Sequence, residues 1–157
     1  MKLASFITLI FWYSHSMAQE FYYKTLSTED GLPSNQIHSV YSDSRGYIWF
    51  GTPNGAVRWD SKSFKTYTIE DGLPNNEVLG FFEDSKRRLW ISNFSNELCF
   101  LKDNIIYNSK NNSVIASNKV NTASGIFEYE NRLFFFGING VSSFNLLDLK
   151  NVKAEPN

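Results

Sequence analysis

The sequence predicts an all-β fold assembled from repeated units, and three observations carry that reading. First, Asp30-Gly31-Leu32-Pro33-Ser34-Asn35 returns 41 residues later as Asp71-Gly72-Leu73-Pro74-Asn75-Asn76. Second, the surroundings recur at the same offset. Residues 23–57 and 64–98 are identical at 11 of 35 positions without a gap, among them Lys24 and Lys65, Asp43 and Asp84, and Trp49 and Trp90. Third, aromatic residues make up 17% of the chain, a share that suits pleated surfaces, and no stretch shows a helical period of useful length. Repetition at roughly 20–50 residues signals a solenoid, a propeller or an array. A unit of about 40 residues, with about four short strands and an aromatic at a fixed place, is the signature of a propeller blade. The prediction is therefore a partial β-propeller of about three four-stranded blades, an open arc, preceded by a signal peptide.

Residues 1–18 read as that signal peptide. Met1-Lys2 is a positive start, 3–13 is mostly apolar, and 14–18 is a small, polar exit. Ser16 and Ala18 sit where signal peptidase prefers small residues, which predicts cleavage between Ala18 and Gln19. The apolar run is shorter than the roughly 20 residues that span a bilayer. No membrane insertion is expected after cleavage, and a periplasmic or extracellular location follows.

Residues 19–63 form the first blade region. A short strand over 21–26 is broken by Asp30-Gly31-Leu32-Pro33, where Gly tolerates positive φ and Pro fixes its own. Leu32 and Leu73 read as anchors that pin each connector to the core, and Asn35 and Asn76 complete the repeated phrase. The strand over 37–42 ends in the hairpin Asp43-Ser44-Arg45-Gly46, whose Asp can bond its own backbone. The strand over 47–52 is apolar on both faces, with Ile48 and Phe50 on one and Tyr47 and Trp49 on the other. Such a strand must be covered on both sides. Pro53-Asn54-Gly55 is the next hairpin, followed by a strand over 56–60 and an outer strand from 64 onward.

Residues 64–104 form the second blade, with Ser92-Asn93 standing where the first copy has Gly51-Thr52. At the gap-free offset Cys99 follows Arg58 by one repeat, and Phe100 answers Trp59. Residues 105–149 hold an eroded third blade, legible in Gly125-Ile126-Phe127, in 133–137 and in Asn139-Gly140-Val141. Its Trp has become Phe. Residues 150–157 read as a linker or a cut end. About three blades cannot close a ring that typically needs 4–8. The chain is then a piece of a larger propeller, a truncated product, or an arc that closes with copies of itself; the first two are favoured.

Composition removes several functions. Fifteen basic and 16 acidic residues leave a net charge of −1, so there is no electrostatic case for nucleic acid. One cysteine, Cys99, excludes a disulfide within the chain and reads as a small buried hydrophobe. His38 answers Leu79 and reads as packing, which leaves no metal site and no cofactor. No nucleophile elbow, P-loop or dinucleotide fingerprint occurs, so no catalytic residue is assigned. The carboxylates of Asp30, Asp43, Asp71 and Asp84 repeat with the fold and so serve it. Ligand-binding residues stay unknown apart from one weak candidate, Trp59, whose ring could stack on a sugar; the competing reading is blade core.

The succession DGLPSNQIHSVYSDSRGYIWFGTPNGAVRWD resembles the two-component regulator propeller repeat, closely over 23–98 and loosely over 120–145. That resemblance implies the periplasmic sensor region of hybrid two-component systems and sensor histidine kinases. In those proteins many repeats build one or two propellers, followed by a small β-sandwich, a membrane helix and a kinase. It implies a non-catalytic exported segment that binds a glycan-derived ligand, an oligosaccharide, only as part of a larger propeller. The alternative is a repeat scaffold that meets other blades, or copies of itself, through its open faces. No kinase is present in this sequence, so the chain is not expected to be an enzyme.

Overall fold

The computed structural model describes residues 23–95, 97–117, 125–137 and 140–149. The expected signal peptide, its Ala18–Gln19 cleavage point and the tail at 150–157 lie outside these residues. Among the described residues, eleven strands form three antiparallel sheets. The first contains β1 (Ser39–Ser42), β2 (Ile48–Thr52), β3 (Gly55–Trp59) and β4 (Phe64–Tyr67), paired in chain order. The second repeats the plan with β5 (Val78–Glu83), β6 (Leu89–Asn93), β7 (Phe100–Lys102) and β8 (Ile105–Tyr107). The third contains β9 (Gly125–Tyr129), β10 (Arg132–Gly137) and β11 (Gly140–Asn145). The fold is an open all-β arc, and its third sheet has three described strands where four were expected.

Boundaries drawn at the repeat divide the sheets. The strand from Phe64 is the outer strand of the first sheet, and Ile105–Tyr107 is the outer strand of the second. The repeat unit, 23–57 and 64–98, begins one strand before each new blade, so a cut between 63 and 64, or after 104, separates an outer strand from its partners.

The core lies between the sheets. Trp49, Ala56 and Tyr67 of the first sheet pack against Val78, Leu89 and Ile91 of the second, all buried. Trp90 and Phe100 of the second pack in the same way against Leu133, Phe135 and Phe144 of the third. A five-residue helix, α1 (Ser113–Ser117), leads into the third sheet and buries Ile115 in that second core. Neither indole is exposed at all (0% in both cases), which is what apolar residues on both faces of β2 required.

Strand pairing corrects the alignment at Trp59. Phe50 lies opposite Val57 and Ile48 opposite Trp59, whereas Leu89 lies opposite Leu101 and the Ile91 N–H donates to the Cys99 carbonyl at 3.1 Å. Cys99 therefore stands where Val57 does, and Leu101, not Phe100, stands where Trp59 does. The extra residue sits in the hairpin after β6. In the first sheet the Thr52 hydroxyl closes that hairpin by donating to the Gly55 carbonyl at 2.8 Å. In the second, the Asn93 side chain does so, accepting from the Ser95 N–H at 2.9 Å and from the Ser95 hydroxyl. The other departure is also offset. Gly51 pairs with Ser39, while Ser92 pairs with Gly80, so serine and glycine have exchanged strands and each pair keeps one residue without a Cβ.

A latch ties each hairpin to the following sheet. The Ser44 N–H and hydroxyl donate to the Glu83 carboxylate at 2.6 and 2.8 Å. One sheet later, the Ser85 N–H and hydroxyl donate to Glu128, both at 2.6 Å. Hydrogen bonds to an ionised acceptor are short and stronger than neutral ones. The serine after the turn aspartate thus sets the registry between blades.

Candidate functional site

The repeated phrase is resolved atom by atom, and the two copies agree. Ser27 and Thr68 cap short 3-10 turns over Thr28–Asp30 and Ile69–Asp71. The Asp30 and Asp71 carboxylates accept the capping residues' own N–H groups at 3.0 and 2.9 Å. Gly31 and Gly72 follow with φ of 108° and 105°, the left-handed region that penalises a Cβ. Leu32 and Leu73 are buried, and the Asn35 and Asn76 side chains reach back to accept the Thr28 and Ile69 N–H groups, both at 2.9 Å. Pro33 and Pro74 carry the chain toward the next strand. The Asp, Gly, Leu and Asn of each copy are held by backbone or core partners. The capping Ser27 and Thr68 were not read from the sequence, although Ser/Thr three residues before an acid is a capping-box spacing.

The turn aspartates do more than hold their turns. Asp43 Oδ1 accepts the N–H groups of Arg45 and Tyr47, while Oδ2 accepts the Trp49 indole N–H at 3.0 Å. Asp84 repeats the arrangement, with the Trp90 indole N–H at 2.8 Å. The signal was available in the sequence: an Asp six residues before a Trp in both copies. Burial alone would raise the Asp43 carboxyl. The bonds from Trp49, Tyr47 and Arg45, with the Arg45 charge, outweigh it and hold the group below the usual carboxylate range. A depressed folded-state value means that the unfolded chain binds more protons in acid. The stabilisation is therefore present above the ordinary Asp value of about 3.9 and is lost as pH falls through the lower folded value. The stability gap between the wild type and Asp43→Asn should shrink as urea titrations move through that acid range. A gap that stays constant with pH would contradict the assignment.

A cleft of about 710 Å3 opens between the outer strands of the first and second sheets. Lys65 and Tyr67 of β4 form one wall, Asn104 to Ile106 the other, and residues 69–74 of the connector lie between them. Glu97, Asn108, Lys110 and Asn111 complete the rim. Several of these groups are already tied together. The Tyr67 hydroxyl donates to Asn104 Oδ1 at 3.3 Å, Arg58 donates to the same oxygen at 3.1 Å, and Asn108 donates to the Gly72 carbonyl at 2.8 Å. The Tyr67 ring packs on Trp49 at 5.7 Å and is 2% exposed. The cleft therefore offers amides, carboxylates and two lysines as hydrogen-bonding walls, and no open aromatic face.

Asp71, Gly72, Leu73 and Pro74 of the repeat line this cleft; Trp59 does not. Trp59 lies on the opposite face of the first sheet, half-buried with Leu32, Phe50 and Val57, and stacked on Phe64 at 6.2 Å. His38 stands 3.7 Å from the Glu77 carboxylate. Cys99 is buried, and that burial pushes its thiol up to about 12. Among the described residues no cluster of three or more metal-type side chains forms, and no helix is long and apolar enough to cross a membrane.

The family model for the two component regulator propeller matches residues 31–54 and 72–95. No curated protein matches the chain in sequence. Among solved structures, the chain is similar to the extracellular domain of a B. thetaiotaomicron protein described as a hybrid two component system. The two share 20% identity and a TM-score of 0.63, over 83% of this chain and 18% of that one. A second similar structure is the extracellular domain of a protein described as a one component system, from the same organism. It gives 22% identity and a TM-score of 0.64, over 84% of this chain and 20% of that one. Streptogramin B lyase is more distant, at 16% identity and a TM-score of 0.50, over 73% of this chain and 42% of the lyase. The likeness in each case is one of fold. The chain spans about a fifth of the length of the two extracellular domains.

Proposed function

We propose that this chain, which carries two copies of the two component regulator propeller repeat, is a non-catalytic segment of an exported ligand-sensing propeller. The ligand in this reading is a glycan-derived oligosaccharide, held once the arc is part of a larger propeller. One observation carries the reading. The matched repeats form blades like those of two extracellular domains described as parts of regulatory systems. The cleft beside the second repeat supports it chemically. Planar amides and carboxylates can bond paired hydroxyl groups, and the adjacent cations extend the donor set. An exported, periplasmic or extracellular location fits the apolar start of the sequence.

The test is a thermal-shift and calorimetric screen of the chain in its assembled, closed propeller against oligosaccharides, with Glu70→Ala/Lys110→Ala as the cleft variant. A ligand at about 100 times its Kd adds about 2.7 kcal/mol to stability. At least one oligosaccharide should raise the melting temperature of the wild type by several degrees and leave the variant unmoved. Failure of every glycan to stabilise the chain would remove the ligand assignment.

A further inference from the structure

The two ends of the arc carry matching halves of an incomplete blade junction. Tyr23–Leu26 repeats β4 at the 41-residue offset, with Lys24 and Thr25 identical to Lys65 and Thr66. It also sits where β4 sits. Leu26 packs against Leu32, Phe50 and Val57, just as Tyr67 packs in the cluster that holds Leu73, Ile91 and Cys99. By strand register these are the same positions, one sheet apart. Tyr23–Leu26 therefore stands, relative to the first sheet, where β4 stands relative to the second. It forms no strand pairing among the described residues, and Tyr23 is 86% exposed. At the other end, among the described residues, β11 is the last strand of the third sheet and its outer edge has no described partner.

The flat faces match as well. Phe134 occupies the place of Trp49 and Trp90 in the ladder, on the face turned away from the second sheet. It stacks on Phe127 at 4.9 Å, and Phe127 and Phe136 are both 44% exposed. Trp59 occupies the place of Phe144, which packs 5.5 Å from Trp90. So a Phe134 that needs a covering ring and a Trp59 that needs one to cover lie at opposite ends of one chain. The latch positions are exchanged here. At this junction the carboxylate is on the hairpin, as Glu130, and the hydroxyl is on the receiving strand, as exposed Ser42. The same Ser–Glu pair can form with donor and acceptor swapped.

We propose that the chain associates head to tail with a second copy of itself. Residues 23–26 of each copy become the fourth strand beside β11 of the other, Trp59 covers the partner's Phe134, and Ser42 donates to the partner's Glu130. An extended segment that adds to an exposed sheet edge is a recurrent mode of recognition, and head-to-tail contacts give rings when the rotation closes. Two arcs of three sheets make six blades, within the usual range of about 4–8.

The experiment is size-exclusion chromatography with light scattering on the full chain across micromolar concentrations. The expected mass is twice that of one chain, and Trp59→Asp and Phe134→Asp should each convert the dimer to a monomer. Because either change could disturb the blade itself, the Ser42→Cys/Glu130→Cys variant gives an independent readout. Under oxidation it should form a covalent dimer that neither single variant forms, and the buried Cys99 does not compete. A monomer with native tryptophan signals at every concentration would overturn the proposal and leave the faces to blades of another polypeptide or region. Open-ended larger assemblies, or a dimer that the cysteine pair fails to cross-link, would overturn it too.

Discussion

Asp84→Ala should cost about 3–5 kcal/mol, more than any other single polar change in the described sheets. The Asp84 carboxylate is 3% exposed and accepts four hydrogen bonds, including Arg88 Nε at 2.6 Å and the Trp90 indole at 2.8 Å. The Arg88 side chain is itself 5% exposed and lies near the Trp90 and Phe100 rings. Removing the acid leaves a guanidinium buried without its counter-charge, together with an unpaired indole N–H. Asp43→Ala should cost less, roughly 1–3 kcal/mol. Its partner Arg45 has a side chain 35% exposed and can turn to water. Urea midpoints at constant slope would measure both losses. The double variant Asp84→Ala/Arg88→Met should recover part of the deficit, because the stranded charge goes with the arginine. An Asp84→Ala loss no larger than that of Asp43→Ala would show that burial of Arg88 is not the dominant cost.

The same pair of residues shows how far the chain could be read before folding. The 41-residue repeat, the strand order and the doubly apolar β2 were legible, because each rests on local spacing that survives in the linear sequence. The link from Asp43 to Trp49 was not read, although its spacing was visible, because the turn alone already accounted for the aspartate. The third sheet has neither residue. By register Tyr129 stands in the place of Asp84 and Phe134 in that of Trp90. The carboxylate and the indole N–H that it bonded are lost as a unit, so this blade leaves neither group unpaired. The register of β7 is hidden in the sequence for a different reason. One extra residue in the Asn93 hairpin moves every later position by one, and gap-free alignment cannot detect it where identity has already faded. The gap-free offset therefore sets Trp59 against Phe100, whereas its partner across the repeat is the buried Leu101. The cleft was invisible in sequence because it is built from two outer strands and a connector that meet only after the blades pack.

Trp90→Ala should remove about 3–5 kcal/mol, and the loss should be spatially uneven. The Trp90 ring lies 4.9 Å from Phe100 within its own sheet, and 5.7 and 5.5 Å from Phe135 and Phe144 of the next. Its deletion therefore opens a cavity at the junction of the second and third sheets. Repeat architectures contact only their neighbours, so stability is close to a sum of unit and junction terms. The first junction, around Trp49, has its own rings at 5.7 and 5.8 Å and is untouched. Hydrogen exchange should then show the amides of β9 to β11 losing protection ahead of those in β1 to β4, which keep nearly wild-type values. Trp90→Phe should cost less than the alanine variant, since a ring still fills most of the space, but it leaves Asp84 without the indole donor. Combining Trp90→Phe with Trp49→Ala should be nearly additive, because the two indoles belong to different clusters. If all three sheets lost protection together in Trp90→Ala, the arc would be one cooperative unit, and a junction-by-junction account of its stability would fail.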